Sequence, residues 1–245
     1  MSRRLFPLCL LLSAIVGCAS SHENLPKYPR MDEGKSIQTI ADRAEKTRTV
    51  TAQGLITLRD SEGQTVRLDC VIVMRLPDEL RLRAWKFGQA VFDLTLTPEG
   101  AWLIAPENSE RRAQVQTAGV SAAKLARTWS VLAGGFFSDP RVKVTKLSND
   151  RMMVEKDQDD GTKIFCDIER PTLTPRHYRL VDDKGTTRFE LTLDRYAQFG
   201  EVVWPRSVLA VSERGQITID LKEIEINGEI PEQAFRPPRR AEKLP

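Results

Sequence analysis

From Thr49 onward the chain alternates apolar and polar residues with a period of two, the pattern of strands with one covered face. Val50, Ala52, Gly54, Ile56 and Leu58 interleave with Thr51, Gln53, Thr57 and Arg59, and Ser61, Glu62 and Gly63 then form a turn. Leu68, Cys70, Ile72, Met74 and Leu76 continue the alternation up to the Pro77-Asp78 turn. Leu80, Leu82 and Ala84 alternate with Arg81, Arg83 and Trp85, Phe87-Gly88 turns the chain, and Ala90, Phe92, Leu94 and Leu96 follow. With Ala101 to Ala105 these make five strands joined by short turns, an antiparallel meander. Apolar residues at helical spacing (Ala122, Leu125, Ala126, Trp129, Leu132) then predict a helix from about Val120 to Ala133, ended by Gly134-Gly135. Strands resume at Val142–Leu147, Met152–Lys156, Lys163–Glu169, His177–Val181, Arg188–Arg195, Val202–Val211 and Gln216–Ile226. The last changes phase between Leu221 and Ile224, which predicts a β-bulge near Glu223.

Before the meander, Ser36 is placed to cap a helix whose stripe is Ile37, Ile40, Ala41 and Ala44, with Asp42, Arg43, Glu45 and Lys46 turned away. About a dozen strands and two helices share one composition, so residues 36–245 read as one domain. A sheet this long cannot stay flat. The expected class is mainly β (α+β): a strongly curved antiparallel sheet forming an incomplete barrel, or half-barrel, with two or more helices over its concave apolar face.

The amino terminus changes the picture. Arg3 and Arg4, the apolar run Leu5 to Gly17 and then Cys18 describe a bacterial export leader over residues 1–17 rather than a membrane span, because the apolar core is short. Ile15-Val16-Gly17-Cys18 looks like a lipobox, whose cysteine carries diacylglycerol after cleavage. Cys18 is thus the expected lipidation site and the anchor to a membrane; two or more acyl chains hold firmly. Residues 18–35 have no apolar period and read as a lipidated flexible tether reaching roughly 55 Å when extended at about 3.3 Å per residue. Charge adds little: 37 Lys and Arg face 34 Asp and Glu, and two of the basic residues lie in the leader. No basic run interleaves with aromatics, so nucleic acid is not an expected partner.

The order of Gly54-Leu55-Ile56-Thr57-Leu58, Asp78-Glu79-Leu80-Arg81-Leu82, Phe87-Gly88 and Phe92-Asp93-Leu94, with the ending Asn227-Gly228-Glu229-Ile230-Pro231, Phe235 and Pro237-Pro238, resembles the periplasmic LolA/LolB-like lipoprotein carriers over roughly residues 36–238. The resemblance implies an open half-barrel with helices over a cavity for acyl chains. It implies a role in carrying lipoproteins or lipids, or inserting them at the outer membrane, with a periplasmic carrier protein as a partner. LolB-like members are themselves lipoproteins and carry an apolar residue at the tip of an early hairpin; Phe87 is its match and the implied membrane-insertion tip. Ala19, in place of an inner-membrane-retaining Asp, points to the outer membrane. Cys70-Val71-Ile72-Val73-Met74 stands where LolB has an aromatic-rich strand.

Catalytic chemistry finds little support. His22 lies in the tether, His177 stands in a strand beside Arg176 and Tyr178, and no close-spaced ligand pair joins Cys70 and Cys166 to a metal. Ser130 and Ser138 lack a nucleophile-elbow context, and the acidic turn Asp157, Asp159, Asp160 lacks EF-hand spacing. The expectation is a monomeric non-enzyme without metal or cofactor. Cys70 and Cys166 are either a disulfide joining distant strands or two buried thiols. The candidate acyl-chain cavity comprises Ile56, Leu58, Cys70, Ile72, Met74, Leu82, Ala84, Phe92 and Leu94 from the strands, with Leu125 and Trp129 from the helix. The alternative is that these fill a closed core, in a non-catalytic structural or interaction module of an envelope assembly. Phe87 is either an exposed tip or tucked onto its own domain.

Overall fold

Residues 25–104, 128, 129, 131–213 and 215–244 are described by the computed structural model. The first element is helix α1, Glu33–Glu45, capped by the Asp32 carboxylate, which accepts a hydrogen bond from the Lys35 amide at 2.8 Å. Ser36, expected as the cap, lies one turn inside; its hydroxyl donates to the Asp32 carbonyl and it is buried. Residues 25–35 are therefore not tether. Leu25, Tyr28 and Met31 pack on the core, the Tyr28 amide donates to Pro171, and the buried Arg170 donates to the Met31 carbonyl. Residues 1–24, with the expected leader and Cys18, lie outside the described residues.

The strands follow as β1 (Thr49–Asp60), β2 (Thr65–Arg75), β3 (Glu79–Lys86), β4 (Gln89–Thr97), β5 (Gly100–Ile104), β6 (Lys143–Leu147), β7 (Arg151–Asp157), β8 (Lys163–Glu169), β9 (Thr174–Val181), β10 (Thr187–Phe199), β11 (Val202–Ser212), β12 (Gly215–Ile226) and β13 (Glu242–Lys243). A short 3-10 turn, Glu232–Phe235, precedes β13. All pairings are antiparallel, in the order β13-β5-β4-β3-β2-β1-β12-β11-β10-β9-β8-β7-β6. The sheet is open, with β13 and β6 at its edges. It thus consists of two meanders, joined where β1 pairs with β12. The expectation of two or more covering helices is not met among the described residues. α1 is the one α-helix seen in full; of the second expected helix, positions 128, 129, 131 and 132 are helical and 120–127 lie outside the described residues.

The phase change in the last strand is a bulge. Gln53 pairs with Glu223 and Gly54 with Leu221, so Lys222 has no opposite number. The extra residue brings Ile224 and Ile226 onto the same apolar cluster as Ile217, Ile219 and Leu221. After β12 the chain crosses the outer face of the first meander. Asn227 ties its start to α1's exit by accepting from the Arg48 amide at 2.8 Å and donating to the Lys46 carbonyl at 3.0 Å. Arg75 and Arg81 donate to the Ile230 and Ala234 carbonyls, the Arg75 guanidinium lies over the Phe235 ring, and β13 then pairs with β5. Arg81 makes a two-point bond with the buried Asp93 under this strap.

The apolar residues form two clusters. One covers β1–β5 with Trp129, Trp204 and Leu221; the other joins α1, Phe136 and Phe137 to β7–β11. Phe136 sits edge-on to both Phe137 and Tyr178. Cys70 belongs to the first cluster and Cys166 to the second, on strands six places apart, and both are free buried thiols. Of the two expected alternatives, the structure has the pair of buried thiols and not the disulfide.

Candidate functional site

The alternation of the first meander sends Ile72 and Met74 (β2), Leu80 and Leu82 (β3) and Leu94 and Leu96 (β4) to one face, where they line a hollow. The opposite wall is built by the far meander: Phe189 from β10, Trp204, Val208 and Ala210 from β11, Ile217, Ile219 and Leu221 from β12. β4 and β10 are six places apart, which in a flat sheet would separate them by about 29 Å at ~4.8 Å per strand. Their meeting around one hollow shows that the sheet bends about its apolar face. Thr128, Trp129 and Leu132 close the remaining side. The Trp129 indole N–H donates to the Pro77 carbonyl at 2.7 Å, fastening that helical turn to the β2–β3 connection.

The hollow measures about 90 Å³ for the centres of water-sized spheres, within roughly 950 Å³ of free space that includes its opening. This is several times the ~10–15 Å³ that holds one water. No charged side chain lines it among the described residues; Thr128 and Ser212 are its polar side chains. Such a wall binds by dispersion and release of water, and so suits hydrocarbon.

Of the residues expected to line a cavity, Ile72, Met74, Leu82, Leu94 and Trp129 do so. Ile56, Leu58, Cys70, Ala84 and Phe92 belong to the apolar cluster around it without lining the hollow. Leu125 lies outside the described residues. The far wall was missed. Its residues carry the same alternation as the near wall, but nothing local in the sequence says that β12 returns to pair with β1. Phe87 is 91% exposed at the β3–β4 tip, with φ +52° followed by Gly88 at +77°, a tight two-residue turn that turns the ring away from the sheet. The Lys86 ammonium lies 5.5 Å from the ring centre.

Burial raises the Cys70 thiol to about 12, with Asp69 adding to the effect, and raises Cys166 well above its ordinary value. Burial likewise raises Tyr178 and Tyr196. All four are therefore neutral at physiological pH. His177 lies on the outer face between Asp167 at 3.7 Å and Glu190 at 3.4 Å. In the acidic turn, Asp157 pairs with Lys163 and Asp159 with Arg141.

Solved structures share this architecture. A structure described as an outer membrane lipoprotein-sorting protein domain from Vibrio parahaemolyticus superposes with a TM-score of 0.59 at 14% identity, covering 82% of this chain and 95% of its own. A DUF1329 family protein from Desulfovibrio piger gives 0.61 at 10% identity, covering 84% and 98%. A LolA superfamily protein from Nitrosomonas europaea gives 0.57 at 10% identity, covering 82% and 97%. The chain has a LolA/LolB-like fold. No protein-family model and no curated protein matches the sequence. No helix among the described residues is long and apolar enough to cross a membrane.

Proposed function

We propose that this chain is a non-catalytic envelope lipoprotein, anchored through Cys18, that takes acyl chains of lipoproteins or lipids into the hollow of its bent sheet and hands them on at the outer membrane. The observation that carries this reading is the uncharged hollow shared by the two meanders. Ten methylenes buried there would contribute about 8 kcal/mol before the costs of binding. The LolA/LolB-like fold, shared with a Vibrio domain described as lipoprotein-sorting, supports it. The exposed Phe87 is the group that enters the lipid surface at hand-over. A short tether from Cys18 keeps the hollow near its source of ligands, and a periplasmic carrier is the natural partner.

A fluorescent fatty acid tests the reading in two steps. The chain should bind the probe and pass it to vesicles. Ala210→Trp, which fills the hollow from β11, should weaken binding at least tenfold, whereas Phe87→Glu should bind normally and transfer slowly. Equal binding by Ala210→Trp would count against the hollow as the site. A Phe87→Glu chain with unchanged transfer would remove the tip from the account.

A further inference from the structure

The hollow has no charge with which to orient a ligand, but a neighbouring one does. A second hollow, about 60 Å³ for water-sized centres within roughly 520 Å³ of free space, lies between α1 and the apolar face of β9–β11. Its wall is mostly aliphatic and aromatic. Two polar side chains interrupt it: Arg43 in the last turn of α1 and Thr47 just beyond the helix end, 8% and 6% exposed.

Arg43 was expected to face away from the apolar stripe; instead it points inward. Its guanidinium donates to the carbonyls of Thr172, at 3.2 Å, and Leu173. No carboxylate pairs with it among the described residues. The carbonyl dipoles offset part of the charge and bring no negative charge of their own. Thr47 lines the same hollow beside it. A largely buried cation with carbonyl partners and no counter-ion among the described residues is an arrangement that an anion would complement.

The two hollows adjoin. Leu132 and Trp204 line both. A third, about 30 Å³ and lined mostly by apolar residues with Arg179 among them, shares Phe189 with the first and Val131 and Tyr178 with the second. The three therefore surround the turn that carries Val131 and Leu132.

We propose that Arg43 and Thr47 bind the anionic head of an acyl ligand, a carboxylate or a phosphate, whose chain runs past Leu132 and Trp204 into the apolar hollow. The inference rests on the acyl-chain reading above and narrows its ligand class to amphiphiles with an anionic end, in preference to a neutral acylated terminus. The guanidinium supplies charge and direction, the hydroxyl a further donor, and the apolar hollow the bulk of the contact.

The test uses the full chain with Cys18→Ser, which blocks lipidation, and three C16 probes: palmitate, hexadecyl phosphate and methyl palmitate. One or both anions should bind about tenfold to a hundredfold more tightly than the ester. Whichever anion is favoured identifies the head as carboxylate or phosphate. Arg43→Met should remove the preference and leave ester binding unchanged, whereas Arg43→Lys should keep most of it. Equal affinity of the unaltered chain for anions and ester overturns the inference while leaving the acyl-chain reading standing. A folded Arg43→Met chain that retains the preference does the same. Failure of all three probes to bind overturns both. If Arg43→Met does not fold, the anion-to-ester comparison on the unaltered chain decides.

Discussion

At Gly54 a β-carbon would stand 2.1 Å from the carbonyl oxygen of Asp220, because the bulge at Lys222 pushes β12 against β1 at that point. The neighbour is backbone and cannot step aside. Gly54→Ala should therefore destabilise the protein by about 1–3 kcal/mol, read as a lower urea midpoint with an unchanged slope. An unchanged midpoint would mean that the join between the meanders is looser than described. The bulge was legible in the sequence because Leu221 and Ile224 break parity; the need for glycine opposite it was not, since it depends on a strand more than 150 residues away. Arg43 shows the converse. Its charge suggested solvent, and only the packing of α1 against the Thr172–Leu173 turn draws it inward. Cys70 and Cys166 lie on covered faces as their alternation indicates, but the choice between thiol and disulfide depends on which apolar cluster each strand joins.

Among the elements, the long strands could be read because each keeps one face covered, and the observed bounds mostly fall within a few residues of the expected ones. β13 had no such signal: Glu242 and Lys243 are both polar, both exposed and only two residues long. Its role is nonetheless definite. It covers the outer edge of β5, where Glu242 pairs with Leu103 and Lys243 with Trp102, and the Leu244 amide donates to the Ala101 carbonyl at 2.8 Å. Uncovered edges recruit other strands. A chain ending after Arg240 should melt lower, by about 2–4 °C per kcal/mol lost, and should self-associate in light scattering. A shortened chain that stays monomeric with the same melting temperature would show that β13 does not protect the edge. The opposite edge, β6, is already guarded by Lys143 and Lys146 and by the register shift between Val144 and Lys146.

For the whole molecule, the sequence conveyed one long curved sheet with a covered face, and the LolA/LolB-like resemblance conveyed the hollow. What neither conveyed was how the hollow is shared. Half of its wall, including Trp204, Ile217 and Ile219, comes from the second meander, and it meets Leu82 and Leu94 only because β1 and β12 join the two ends of the domain. α1, Phe136 and Phe137 cover most of the second cluster and leave only the smaller hollow beside Arg43, so the bulk of a hydrocarbon chain falls to the space beneath Trp129 and Leu132. The central claim is that this space holds hydrocarbon. Native mass spectrometry of the Cys18→Ser chain, followed by solvent extraction of the same sample, tests it most directly. The account predicts a population heavier than the bare polypeptide by the mass of an acyl lipid, with that lipid in the extract. A protein that flies only at its polypeptide mass, yields no lipid and gains none when palmitate is added would contradict it.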